Sequence, residues 1–164
     1  MHHNFIGYGS LMSHNSLKKT IKDKKFTPVI VKGYKRVFDL KENSSDVLNL
    51  EKSPKSYFNG IMFSINDEEL IKLKEREDDY NLEETKVYDF KTEKSLGIAL
   101  IVIDYLVNID KKLLPDKSYF ILCREAAYHI SEEFGKLWDE TTYTSKEEKV
   151  SDWIKTNRSY NTIK

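Results

Sequence analysis

Cysteine is almost missing from this chain: Cys123 stands alone among 164 residues, so no internal disulfide can form and a reducing compartment is expected. Net charge is missing as well. Lys+Arg and Asp+Glu each total 27 and the two signs are interleaved, which leaves no one-signed field to draw in nucleic acid or an anionic membrane surface. Long apolar runs are absent too, since the longest, Leu96 to Ile103, is interrupted by Gly97 and falls far short of the roughly 20 residues that span a bilayer. The opening Met1-His2-His3-Asn4-Phe5-Ile6 has neither the basic start nor the apolar core of a secretory leader, so a cytoplasmic location is expected. The histidines, His2, His3, His14 and His129, include no His-x-x-x-His pair and have no second thiol to complete a ligand set, so neither a metal nor any other cofactor is expected. Proline and glycine are scarce, at 3 and 6 residues, which speaks against a low-complexity chain.

What is present is enough for a core. With 39% hydrophobic and 12% aromatic residues, a chain of this length is read as a single domain over 1–164, with a helical tail from about residue 144. Phe5, Ile6 and Tyr8 form a short strand that ends in Gly7-Tyr8-Gly9, and a short helix is expected over 13–24, with Leu17 and Ile21 on one face. Residues 27–40 read as a long strand with a bulge at Gly33. Residues 47–50 and 57–65 read as further strands, separated by a loop at Ser53-Pro54-Lys55-Ser56, with Gly60 marking a close backbone approach. Asn66 and Glu69 form a capping box for a helix over 67–78. Strands are expected at 86–90 and 97–106. Asp116 caps a long helix containing Cys123, and Ser145 with Glu148 reads as a second capping box. This order, mostly strands with helices inserted and then appended, indicates an α+β fold with a mixed, mostly antiparallel sheet that could curl into a barrel. A dinucleotide site is disfavoured, because Met12 stands where a third glycine is needed.

Two constellations could carry chemistry. Ile6-Gly7-Tyr8-Gly9-Ser10-Leu11 joins a strand to a helix, and glycines there can turn successive N–H groups toward one anion, such as a carboxylate, without help from a cation. Leu70, Leu73 and Glu77 share one helical stripe, so Glu77 points with two core-facing leucines; desolvation and the helix C-terminus would both raise its pKa and suit it to move protons near neutrality. Cys123 lies in the apolar series Tyr119, Leu122, Ala126, Ala127, Ile130 and Phe134 and reads as a core thiol rather than a nucleophile.

Both constellations resemble gamma-glutamylcyclotransferases, including the ChaC-like and AIG2-like branches. The run Phe5-Ile6-Gly7-Tyr8-Gly9-Ser10-Leu11 is similar to their tyrosine-glycine-serine-leucine signature, and Leu73 to Tyr80 is similar to their leucine, three residues, glutamate motif. Gly33-Tyr34-Lys35-Arg36 matches a glycine-x-x-arginine strand, Phe58-Asn59-Gly60 a glycine-containing strand, and Ser118-Tyr119-Phe120 the start of a late helix. The resemblance implies a mixed β-barrel flanked by helices and no metal. It implies Glu77 as the catalytic acid–base group, and Gly7, Tyr8, Gly9, Ser10, Leu11 and Tyr119 as substrate-binding residues, with Arg76 and Tyr80 as weaker candidates. The implied partner is a small gamma-glutamyl compound, glutathione or a gamma-glutamyl amino acid, converted to 5-oxoproline by a monomer or homodimer. The alternatives are a gamma-glutamylamine cyclotransferase and a non-catalytic carboxylate-binding module on the same fold. Asp78-Asp79 departs from the glycines often found after the glutamate, and the stretch from Thr144 has no counterpart in the motifs.

Overall fold

A computed structural model describes residues 1–9, 12, 25–42, 45–76, 81–103 and 109–163. Ser10, Leu11, the helix expected over 13–24, Glu77 and Tyr80 lie outside the described residues. Strands β1 (His2–Gly7), β2 (Phe26–Glu42), β3 (Ser45–Asn66), β4 (Asn81–Asp89), β5 (Ser95–Ile103) and β6 (Thr142–Thr144) form one mixed sheet. Their order is β3-β1-β5-β4-β2-β6, and β3 also pairs with β2. The first five strands are therefore paired in a closed circuit. Only the β1–β5 and β2–β6 pairings are parallel. The circuit is uneven, because β2 and β3 form a long ladder while β2 meets β4 only through Val29↔Asp89 and Ile30↔Tyr88.

The β2–β3 ladder contains the expected bulge. Gly33 has φ +92°, a left-handed conformation that is cheap for glycine alone, and the register jumps there from Lys32↔Tyr57 to Tyr34↔Lys52. Residues 53–56, expected as a loop between two strands, instead make an excursion within β3 opposite this bulge. Gly60 is tight as expected: a Cβ there would stand 2.7 Å from the Gly7 carbonyl oxygen.

Among the described residues the helices are α1 (Asp67–Arg76), α2 (Lys117–Ile130), α3 (Glu132–Thr141) and α4 (Val150–Thr156), followed by a 3-10 turn, Arg158–Tyr160. The Asn66 box closes in both directions, with the Glu69 N–H 2.9 Å from Asn66 Oδ1 and the Asn66 N–H 3.0 Å from Glu69 Oε1. The helix expected to hold both Cys123 and Phe134 is broken at Ser131, whose extended backbone and side-chain cap on the Phe134 N–H start α3 afresh. The Ser145 box does not form. Ser145 Oγ donates instead to the Leu113 carbonyl, and α4 starts at Val150 without a side-chain cap.

The core is aromatic where the helices meet the sheet. Phe120 and Trp138 are fully buried, and Phe120 lies 5.4 Å from the rings of Phe38 and Trp153 and 5.3 Å from that of Tyr160. Burial of a side chain such as Phe120 contributes about 1.5–3 kcal/mol. This cluster fastens the C-terminal segment to α2. No helix among the described residues is long and apolar enough to cross a membrane.

Candidate functional site

The turn after β1 is held by side chains from several elements. Tyr8 is buried, donates its hydroxyl to the Val102 carbonyl at 2.9 Å, and meets the Phe58 ring edge-on at 5.9 Å. The Gly9 carbonyl accepts the Met12 N–H at 3.0 Å. Gly9 itself is pressed against α2, and a Cβ there would lie 2.6 Å from the Tyr119 hydroxyl oxygen and 3.7 Å from Leu48. Among the sequence-predicted site residues, Gly7, Tyr8, Gly9 and Tyr119 are thus brought together. Ser10, Leu11 and Glu77 lie outside the described residues, as does the side chain of Arg76. The stripe expected to carry Glu77 does face inward where it is described: Leu73 is 1% exposed and Leu70 is half-buried.

Two details differ from the sequence reading. Gly9 is not left-handed; its lack of a side chain makes room for Tyr119, so close approach rather than backbone freedom requires glycine there. The turn also does not stand without a cation. Arg36 of β2 is fully buried behind it, donating from Nη1 to the Tyr8 carbonyl at 3.4 Å and to the Asn59 carbonyl. Its Nη2 donates to Asn59 Oδ1 at 2.7 Å and Thr141 Oγ1 at 3.0 Å, and its Nε to Thr142 Oγ1 at 2.8 Å. The guanidinium carbon lies 5.3 Å from the Trp138 ring centre and 5.8 Å from that of Phe58. Burial lowers the Arg36 pKa to about 9, offset in part by Cys123, Asp139, Tyr119 and Tyr8, so the side chain stays cationic at neutral pH. Strand parity gives no signal for it, because Val37 and Asp39 are buried along with Arg36 and Phe38.

Cys123 behaves as the core thiol expected. Burial pushes it up to about 12 against the opposing pull of the Tyr119 hydroxyl, to which it is hydrogen-bonded, and of the Arg36 charge. It stays protonated and unreactive.

Tyr119 is positioned from upstream by a strap, residues 109–116, laid across the far end of the β2–β3 hairpin. Backbone bonds join Asp110 N–H to Asp39 O at 2.6 Å, Asp46 N–H to Leu114 O at 3.0 Å and Asp116 N–H to Asp46 O at 2.8 Å. Asp116 then caps α2 by accepting the Tyr119 N–H at 2.9 Å. Under the strap lies a buried acidic group that the sequence reading missed. Asp46 is 0% exposed, and among the described residues no N–H donor reaches either of its oxygens. The Asp110 carboxyl acts on it and favours its protonated form. Burial, then Asp110 and Asp39, push Asp46 up to about 7, with Lys111 pulling the other way. Asp110 lies below the ordinary range; burial would raise it, but the N–H groups of Lys112 and Leu113 and the bond to Asp46 prevail.

An open groove of about 490 Å³ lies elsewhere, beside the Gly33 bulge, and shares no residue with the turn. Two of its cations are already engaged, Lys52 with Glu83 at 3.6 Å and Lys32 over the Tyr88 ring at 4.5 Å. The convergence at the turn is the better candidate, because it combines buried polar groups with two of the sequence motifs.

No known family pattern and no curated protein matches the chain by sequence. Solved structures do match it in shape. A structure described as gamma-glutamyl cyclotransferase superposes with a TM-score of 0.70 at 16% identity, covering 95% of this chain and 99% of that one. A human protein described as uncharacterized gives 0.70 at 18% identity over 94% and 98%. A yeast gamma-glutamyl cyclotransferase described as specific to glutathione gives 0.59 at 14% identity over 98% and 97%. At such identities the likeness speaks to the fold, and the chain therefore has the gamma-glutamyl cyclotransferase-like fold.

Proposed function

We propose that this protein is a gamma-glutamylcyclotransferase, releasing 5-oxoproline and a free amine, amino acid or dipeptide from a gamma-glutamyl compound. The observation that carries this reading is the meeting of the Gly7-Tyr8-Gly9 turn, the Tyr119 hydroxyl and the Arg36 cation at one place in a chain of this fold.

The reaction needs few groups. The substrate's α-ammonium gives up a proton, its nitrogen attacks the γ-carbonyl, a five-membered ring closes, and the old amide C–N bond breaks as the departing nitrogen takes up a proton. No water is consumed, and the same carboxylate can take the first proton and return it. Glu77 is assigned that role. Support comes from the described part of α1, which sets out beside the start of β1, with Asp67 Oδ1 2.7 Å from His3 Nε2, and which buries Leu73. The turn would hold the substrate's α-carboxylate or the oxyanion that forms on the γ-carbonyl, an interaction strengthened by exclusion of water. Tyr119 would close the pocket over the substrate. Much of the acceleration would come from holding a flexible chain folded on itself.

The test is incubation with glutathione, gamma-glutamyl-alanine and gamma-glutamyl-ε-lysine in parallel, with 5-oxoproline quantified by chromatography. Glu77→Gln should lower the rate about 10²-fold to 10⁴-fold while leaving the melting curve close to wild type. Undiminished activity in that variant would remove Glu77 from the mechanism. A chain inert toward all three substrates would leave the fold with a binding role.

A further inference from the structure

We infer that Arg36 is a positioning residue that tunes the glycine turn for a carboxylate, acting through the Tyr8–Gly9 peptide without touching the ligand. This rests on the turn being the carboxylate subsite of the proposed reaction. Tyr8 O and Gly9 N–H belong to one amide. A cation donating to the oxygen draws electrons from the nitrogen and makes its N–H a stronger donor, as happens along polarised hydrogen-bond chains. Arg36 supplies that contact from a fully buried position.

The surroundings of Arg36 support this role. Each of its hydrogen bonds goes to a neutral acceptor on Thr142, Asn59, Tyr8 or Thr141, and among the described residues no carboxylate forms an ion pair with it. Asp139, the acid that acts on it through space, is committed elsewhere: it accepts Arg124 Nε at 2.8 Å, Arg124 Nη2 at 2.9 Å and the Tyr128 hydroxyl at 2.6 Å. A buried cation without a counter-ion is costly, and an apolar side chain of similar volume would often serve stability at least as well. The uncompensated charge instead biases the adjoining turn toward an anionic guest. The sharing of its hydrogen bonds among the turn after β1, β3, α3 and β6 locks the guanidinium in one orientation, so the bias is aimed at the turn. Cys123, also beside the charge, is pushed up to about 12 by burial and stays neutral, so it does not cancel the charge.

The experiment compares 5-oxoproline with its neutral amide, 5-oxoprolinamide, as unreactive ligands, using calorimetric dissociation constants for wild type, Arg36→Lys and Arg36→Gln. Wild type should prefer the acid by about tenfold, the scale of one charge-assisted hydrogen bond over a neutral one. Arg36→Gln should lose that preference and keep the affinity for the amide, and Arg36→Lys should retain part of it. A merely structural role would weaken both ligands together, and that result overturns the inference. So does a wild type that binds both equally while still forming 5-oxoproline, an outcome that leaves the proposed function standing. Binding of neither ligand by wild type would refute the subsite reading and the inference with it. Should Arg36→Gln fail to fold, Arg36→Lys decides: it should keep only part of the acid-over-amide preference while binding the amide as wild type does, and an equal loss of affinity for both ligands refutes the role.

Discussion

Replacing Asp46 with asparagine should stabilise this protein at slightly alkaline pH, an unusual outcome for a substitution at a fully buried polar residue. In the unfolded chain Asp46 titrates near the ordinary 3.8, and in the folded protein near 7. Between those values the native state holds a proton that the unfolded state has lost. By linkage, the stability tied to that proton is complete below about pH 4 and is lost as pH rises through 7. At about 1.4 kcal/mol per pH unit the loss amounts to about 4 kcal/mol, which for a chain of this length moves the melting temperature by about 10 °C. Asp39, also raised by burial although Lys111 and Lys35 oppose the shift, adds to the same trend. The amide introduced by Asp46→Asn has no charge to desolvate and offers an N–H to Asp110, so the substitution should remove most of the slope between about pH 4 and 7. The variant would melt above wild type at pH 8 and close to it at pH 4.5. Melting curves by circular dichroism at fixed ionic strength from pH 4.5 to 8.5 provide the check. An Asp46→Asn variant less stable than wild type at pH 8, or one with an unaltered pH slope, would refute the account of a proton held on Asp46 beneath the strap.

Other consequences concern the turn and the appended helices. Gly9→Ala places a methyl group 2.6 Å from the Tyr119 hydroxyl and should cost about 1–3 kcal/mol in denaturant unfolding, as overpacking does. Adding Tyr119→Phe removes the obstructing oxygen, so the double variant should recover part of that loss, and strict additivity would contradict the contact. Asp139→Asn leaves Arg124 buried without its counter-charge and weakens the 2.6 Å bond from Tyr128; a loss of about 3–5 kcal/mol is expected, measurable by the same unfolding experiment. An unchanged midpoint would mean that water replaces the pair without cost.

Features settled within a few residues of one another were legible from the chain alone. A composition rich in Val, Ile, Tyr and Phe marked β2, the reciprocal bonds of Asn66 and Glu69 started α1, Asp116 capped α2, and Gly33 placed the bulge, because each depends on local backbone preference or on hydrogen bonds closed over a few positions. The same local logic failed where a distant segment offered a better partner. Ser145 has the spacing of a helix cap, yet its hydroxyl is taken by Leu113, 32 residues away, and Ser131 was read as mid-helix although Ser131-Glu132-Glu133 is itself a helix start. The motif at Glu77 was read from the stripe shared with Leu73 and from family resemblance, and the structure describes that stripe only as far as Arg76.

The buried charges belong to tertiary structure. An arginine on an alternating strand looks the same in sequence whether it faces solvent or core. Arg36 became the cation behind the glycine turn only when the sheet order brought Thr142, 106 positions away, and Asn59 to its guanidinium. Asp46 likewise became a proton-holding acid only when the strap carried Asp110 across it. Local sequence sets which elements form, because their hydrogen bonds close over short distances; which charges lose water together is decided by long-range pairing, and desolvation then determines their chemistry.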